Sequence, residues 1–497
     1  MVALVLLFAC STPAESPPAA KPARVKSEEG SDLQVDWPAV PADLARGDRD
    51  MMASALTKAG LAAASRPIPQ KKGTKAPNIL VIVLDTVRAD HLGMYGYTEG
   101  TTPKLDAWAT GARVWENAWT DAPWTLPAHA SMFTGKSQRE HGARSVGRDD
   151  PRKGAPLGEG NVTIAERLQA VGYRTVAVAA NPAFLHPSYG LGQGFDVWMN
   201  EGLGADPRGV PYLAADRVVP LAEAALAQED EHPLFLFVNF IDAHRPYKAR
   251  KGFVKSPELL RKASLPGEKG YAKMVRKLMA GGPLDLDLRD SWVQGYDAEL
   301  RWLDQNVSQL LGNSRVPSTV FLLSDHGEYL GEHSLVEHAK DVYEPVLHVP
   351  FMAKGPDFLP GRDTAPVQGH DLAWMVLQTA GLDSADLERT GSLQVADLYY
   401  TLKKDLMAPY GKRFDRIRRA FRVGSKKYIN GSDGTREAYD LEADPGERGP
   451  LVEVPAELLA AETVWLAAHP EVPVVPESEG GALGPDEEAL KALGYAE

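Results

Sequence analysis

Three strongly apolar runs, starting at Ile79, Leu234 and Val320, each end on an aspartate: Asp85, Asp242 and Asp325. Short continuous runs rich in Val, Ile and Phe predict strands buried on both faces, the habit of parallel sheets. Helical periods separate them. Thr163-Ile-Ala-Glu166 has the spacing of a capping box, with Ile164, Leu168 and Val171 on one face and Gly172 as the stop. Thr175–Ala180 is a further buried strand and ends at Asn181. Tyr296, Leu300, Leu303, Val307 and Leu310, spaced 4, 3, 4 and 3 apart, predict a helix that closes near Gly312 and leads into the strand before Asp325. Strand, helix, strand repeated in this way predicts an α/β fold, a mostly parallel sheet with helices on both faces.

Ligands of open α/β sheets bind beyond the carboxyl ends of the strands, so polar residues far apart in sequence converge there. Asp85, Asp242 and Asp325, with His244 and His326 just beyond the last two, are that set, and carboxylates gathered with imidazoles point to a metal. The segment Asp121–Gly135 places Thr125 immediately before a predicted helix start, with Pro127 suited to the first turn. The Thr125 hydroxyl then sits near the positive end of a helix, where an oxyanion is favoured. A threonine at this place also caps helices, and Thr-x-Pro alone does not separate the two roles.

The two ends of the chain read differently. Val2–Ala9 is apolar and ends at Cys10, the single cysteine, which excludes an intrachain disulfide and any cysteine-based zinc site. Leu7-Phe-Ala-Cys10 looks like a bacterial lipobox, although no positive stretch precedes it, and residues 11–75, rich in Pro, Ala and charge, read as a disordered tether. The expectation is an exported bacterial lipoprotein of the periplasm or outer membrane, held to the membrane only through a lipid on Cys10. No other stretch reaches the ~18 to 20 apolar residues of a membrane span. Residues 76–385 are the expected catalytic domain. Residues 386–497 hold the short strand candidates Lys427–Ile429 and Ala438–Leu441, the turn Asp444-Pro-Gly446 and a closing helix from about Asp486, a small C-terminal α+β subdomain. A net charge of −13 with no long basic stripe argues against a nucleic-acid partner. An anionic substrate then requires a metal or a local cationic cluster.

Asn78–Gly93, Tyr95-Gly-Tyr97, Thr101-Thr-Pro103, Thr134-Gly135, Asp242-Ala-His-Arg-Pro-Tyr247, Ser324-Asp-His-Gly-Glu328, Leu330-Gly-Glu-His333, Tyr343-Glu344 and Tyr439–Glu447 together resemble, in the same order, the motifs of sulfatases within the alkaline phosphatase superfamily. The resemblance runs from about Ala76 to the C-terminus. It implies an alkaline-phosphatase-like α/β/α sandwich and one divalent cation, Ca2+, Mg2+, Mn2+ or Zn2+, held by Asp85, Thr125, Asp325 and His326. Thr125 is then the nucleophile. His244 and His338 fall on the substrate side, as acid for the leaving oxygen or donors to the anion, with Asn181 and Lys340 as further substrate contacts and Asp242 holding His244 in one tautomer. His326, His333, His338 and His348 are closely spaced, which leaves the choice between His333 and His338 open.

The chain departs from the sulfatase pattern at three places. Formylglycine sulfatases carry Cys or Ser in a Cys-x-Pro-x-Arg core, whereas this chain has Thr125-Leu-Pro-Ala-His129. Threonine cannot be oxidised to the aldehyde, so the hydrated diol that expels sulfate by elimination is not accessible. His129 replaces the arginine, and either hydrogen-bonds Thr125 or caps the helix. The usual adjacent carboxylates are reduced to Asp85-Thr86, and Asn181 stands where a Lys-x-His motif is expected. The expected activity is metal-dependent hydrolysis of sulfate or, by preference, phosphate esters through Thr125. Two alternatives are a phosphoethanolamine- or phosphoglycerol-type transferase acting on envelope glycans or lipids, and a catalytically silent relative that binds an anionic polymer.

Overall fold

The computed structural model describes residues 39–493 apart from 147–153, 201–211, 259–274, 402–412, 477–489 and a few isolated positions. Cys10, residues 11–38 of the expected tether and nearly all of the helix expected from Asp486 lie outside the described residues.

Eight strands form the main sheet: β1 (Ile79–Leu84), β2 (Arg113–Trp115), β3 (Arg174–Ala179), β4 (Val197–Met199), β5 (Leu234–Phe240), β6 (Thr319–Ser324), β7 (Phe351–Lys354) and β8 (Gly361–Asp363). Their order is β8-β2-β7-β6-β1-β5-β3-β4. The five strands from β6 to β4 are mutually parallel, and β7 alone runs antiparallel to both its neighbours. Every residue of β1, β3, β5 and β6 is buried, so both sheet faces are covered.

Seven helices matter to the site: α1 (Ala42–Ala63), α2 (Thr125–Thr134), α3 (Ile164–Ala170), α4 (Ala215–Ala227), α5 (Leu286–Leu311), α6 (Asp371–Ala380) and α7 (Ala456–Ala468). Helices α1, α4 and α5 pack as one group, and α2, α3 and α6 as another, giving the layered α/β arrangement. The capping box predicted at the start of α3 is present, with the Thr163 hydroxyl on the Glu166 N–H at 3.1 Å and the Glu166 carboxylate on the Thr163 N–H at 2.7 Å. Among the described residues no helix is long and apolar enough to cross a membrane.

The tether expectation for residues 11–75 fails at α1. Asp48, Met52 and Leu56 repeat every four residues and are buried against the domain, and Asp48 forms a two-pronged ion pair with Arg217 of α4 at 2.7 and 3.0 Å. Both side chains are almost wholly buried, so loss of one partner would leave the other's charge in an apolar setting. An Ala-rich, charge-rich stretch is also good helix former, and the apolar period of four was the sign that it folds.

A separate four-stranded antiparallel sheet, β9 (Leu393–Tyr399), β10 (Ile417–Val423), β11 (Lys426–Gly431) and β12 (Arg436–Asp440), follows, with α7 packed on β10 and β11. The strand candidates Lys427–Ile429 and Ala438–Leu441 fall in β11 and at β12, while α7 was not foreseen. This sheet grips the segment after His338. Buried Arg418 on β10 bonds Asp341 at 2.9 Å, and buried Lys427 on β11 bonds Glu344 at 2.9 Å and Glu447 at 2.7 Å. The small sheet therefore fixes one wall of the site described next.

Candidate active site

Strand register brings the site together. Leu84 of β1 pairs with Ser324 of β6 on one side and Phe240 of β5 on the other, so Asp85 and Asp325 leave adjacent strands at the same level. His326 follows, and its Nδ1 lies 3.0 Å from the Gly327 carbonyl, which assigns the proton to Nδ1 and leaves the Nε2 lone pair for another partner. That Nε2 lies 3.8 Å from Asp85 Oδ1, 3.5 Å from Asp325 Oδ2 and 3.4 Å from the Thr125 hydroxyl. One ligand atom from each of Asp85, Asp325 and His326 falls within 4.8 Å of the others, and all three residues are buried.

Burial raises both carboxylates, Asp85 to about 7 and Asp325 well above the usual range, and the Asp85 charge adds to the rise at Asp325. His326 is pushed well below its ordinary value by burial and by neighbouring histidines. Asp85 Oδ1 and Asp325 Oδ2 have no hydrogen-bond partner. Two buried, unpaired carboxylate oxygens facing a bare imidazole nitrogen fit a divalent cation in oxygen and nitrogen donors, and a water-filled alternative leaves like charges unopposed.

Thr125 is the first residue of α2. Trp124 occupies the capping position and no side-chain capping bond exists, so the alternative of a capping threonine does not hold. The hydroxyl instead lies at the positive helix end, completely buried, beside His326. His129, one turn on, lies with Nδ1 2.9 Å from the Thr125 carbonyl and its ring edge-on to Phe133 and Phe237. It therefore fixes the backbone of Thr125 and not its hydroxyl, and burial lowers it to about 4, so it is neutral at neutral pH.

The remaining candidates separate. Asn181, beyond β3, donates to Asp85 Oδ2 at 3.0 Å and accepts from the Ala183 and Phe184 N–H groups, so it holds a carboxylate in place. Asp242 does not hold His244. It lies one residue further out than the register of Asp85 and Asp325, and its Oδ1 accepts from Arg250 and from the Trp302 indole, both at 2.9 Å, in a buried cluster with Glu299. His244 turns its Nδ1 to the Arg245 carbonyl at 2.5 Å, and burial lowers it to about 4. Between the two open choices, His338 is inside: its ring centroid is 4.4 Å from that of His326 and 5.0 Å from that of His244. His333 instead stacks on Tyr343. Lys340 is buried and bonds Glu337 at 2.9 Å and the His338 carbonyl at 3.3 Å, which braces the loop carrying His338.

Glu328 was not singled out from the sequence. Its Oε1 lies 2.9 Å from His338 Nδ1, its Oε2 accepts from the Tyr247 hydroxyl at 3.1 Å, and burial raises it to about 7. Its place two residues beyond His326, in Asp325-His-Gly-Glu328, was the available signal.

Fold and site together define a class: layered α/β enzymes that set a hydroxyl beside a carboxylate cation site at the carboxyl end of a parallel sheet. The Sulfatase family model matches residues 77–382. The chain is 25% identical over 438 residues to the choline-sulfatase of Rhizobium meliloti, covering 77% of this chain and 83% of that one. It is 25% identical over 451 residues to an arylsulfatase of Clostridium perfringens, covering 76% and 90%. Among solved structures, the phosphonate monoester hydrolase of Agrobacterium radiobacter superposes with a TM-score of 0.56 at 17% identity, covering 79% of this chain and 94% of that one. The chain belongs to the sulfatase family, in the alkaline phosphatase superfamily, and is an ester hydrolase of that family. The family is metal-dependent.

Proposed function

We propose that this protein hydrolyses phosphate esters, and sulfate esters less well, through a covalent intermediate on Thr125. The observation that carries the reading is an unmodified threonine hydroxyl at a helix N-terminus, uncommitted to capping, 3.4 Å from His326 Nε2. A threonine has no route to the aldehyde that releases sulfate by elimination. Attack by its oxygen on phosphorus, followed by hydrolysis, needs no such modification.

Asp85, Asp325 and His326 would hold the cation with the Thr125 oxygen. When bound, it lowers the hydroxyl's pKa and offsets charge on the substrate oxygens. Thr125, acting as the alkoxide after its hydroxyl proton has gone to solvent, forms the new oxygen–phosphorus bond as the ester oxygen departs, and the backbone dipole of α2 favours the anion at this end. The departing oxygen takes its proton from the His338 imidazolium, which the Glu328 carboxylate stabilises across Nδ1. Neutral His244, with Nδ1–H on the Arg245 carbonyl, presents Nε2 as acceptor for a proton of the water that then breaks the Thr125–phosphorus bond. Thr125 is released as the alkoxide it began as, the proton taken by His244 passes to neighbouring His338, and inorganic phosphate leaves.

The test is a paired assay of aryl phosphate, aryl phosphodiester and aryl sulfate with each of Mg2+, Ca2+, Mn2+ and Zn2+. Phosphate-ester turnover exceeding sulfate turnover is expected, and the reverse order overturns the phosphate preference. Glu328→Gln keeps the shape but removes the charge behind His338, so kcat should fall by about 10- to 100-fold with KM little changed. A pH profile of kcat identical to wild type would show that Glu328 serves packing alone.

A further inference from the structure

The two histidines that handle protons stand on separate loops. His244 follows β5 and His338 lies beyond β6, yet their ring centroids are 5.0 Å apart. The residue next to each joins the loops. Arg245 Nε donates to Glu337 Oε1 at 2.9 Å, and Glu337 Oε2 accepts from Lys340 at 2.9 Å. The side chains of Arg245, Glu337 and Lys340 are only 18%, 8% and 1% exposed, which shields this carboxylate and its two cations from the water and salt that cancel most surface ion pairs.

The backbone on both sides of His338 is held in a costly shape. Glu337 has φ 60° and Ala339 φ 57°, the left-handed region that a non-glycine residue keeps only where its surroundings enforce it. Glu337 pairs with Tyr329 in a short antiparallel ladder, and the Ala339 N–H donates at 3.0 Å to the carbonyl of Pro123, two residues before Thr125. His338 is thus fixed to the nucleophile's segment through Ala339 and to Glu328 through its own Nδ1. His244 is anchored differently. Its Nδ1 faces the Arg245 carbonyl, while the Arg245 side chain reaches across to Glu337. One residue therefore sets the His244 tautomer with its backbone and ties the two loops with its guanidinium. Tyr247 adds a link further along, to Glu328 at 3.1 Å, so loss of the ion pair shifts His244 without detaching its loop.

We propose that Arg245 and Glu337 are positioning residues whose ion pair holds His244 against His338, so that the proton His244 takes from the attacking water passes on to His338, an inference that rests on the two-histidine reading above. The imidazolium formed at His244 gives its proton to neutral His338. His244 returns to the neutral base, and His338 becomes the acid for the next leaving oxygen. Formation of the phosphoryl-Thr125 does not need the pair, because His338 keeps Glu328 and Ala339 keeps Pro123. Its breakdown does.

Rapid-quench kinetics of the full chain on 4-nitrophenyl phosphate, with the cation that gives most turnover, separates the two halves. Arg245→Met and Glu337→Gln should each lower kcat by about 10- to 100-fold, while the first turnover still releases about one nitrophenol per chain in a burst. The double variant should be no slower than the worse single, since both changes remove the same contact. Arg245→Lys keeps a cationic donor for Glu337 and should recover most of the wild-type rate. A burst that shrinks in step with kcat would mean that the pair supports only the fold, and wild-type kcat in both single variants would mean that it does not serve the proton. Either result overturns the positioning role and leaves the histidines' roles standing. Wild-type turnover in His244→Ala and His338→Ala overturns the two-histidine reading, and this inference with it.

Discussion

Thr125→Ala should leave a folded, cation-binding protein whose turnover of phosphate esters is lower by about 10^4-fold. The side chain makes no capping bond and its polar contact is a 3.4 Å approach to His326, so its removal takes little from the fold. The expected stability change is on the order of 1 kcal/mol, the scale of a lost methyl group and a weak hydrogen bond. Thr125→Ser keeps the nucleophilic oxygen at the helix end and should keep turnover within about tenfold of wild type. Mass spectrometry of rapidly quenched wild type and the Ser variant should find one phosphoryl group on the peptide holding residue 125, and none in Thr125→Ala. Equal turnover in wild type and Thr125→Ala would remove Thr125 from the chemistry and leave water as the direct attacking group.

The parts of this architecture that were readable share a physical cause. Strands buried on both faces must be apolar without interruption, so β1, β5 and β6 show as runs, and the first polar residue after each run marks the functional edge of the sheet. What a run does not reveal is register. Leu84, Phe240 and Ser324 stand level across three neighbouring strands, so the residues after them share a height: Asp85, Ile241 and Asp325. Asp242 comes one step later and is claimed by Arg250 and Trp302. A one-residue offset reassigns a carboxylate that looked equivalent in sequence. Partners distant in the chain were equally hidden. Arg217 lies 169 residues from Asp48, and nothing local marks the charges of α1 as one half of a buried pair. Thr86, at φ 61°, bonds through its carbonyl to the Tyr296 hydroxyl, 210 residues away, and a threonine carries no sequence sign of that left-handed backbone.

Asp325→Asn should separate stability from activity. In metal-stripped protein Asp325 and Asp85 are buried like charges, and burial first, then their mutual repulsion, raises Asp325 while Asp85 rises to about 7. A carboxyl raised on folding binds its proton more tightly in the native state, so its contribution to stability is complete below the unfolded value near ~4 and is lost as pH climbs through the folded value. Stripped wild type should therefore be less stable at pH 8 than at pH 5. Asparagine keeps an oxygen for the Thr86 and His326 N–H groups that Asp325 Oδ1 now serves, but carries no charge. At pH 8 the stripped variant should exceed stripped wild type in stability, because the amide leaves no charge to be buried beside Asp85. Adding the cation reverses the order, because wild type gains binding energy by mass action and the variant gains little. Turnover should fall by about 10^3-fold or more, since the variant loses both the cation and the activation of Thr125. Thermal unfolding at pH 5 and pH 8, with and without Mn2+, reads all of these signs in one series. A variant less stable than wild type when both are stripped at pH 8 would mean that the Asp325 charge supports the fold by itself, and the carboxylate pair would no longer require a cation.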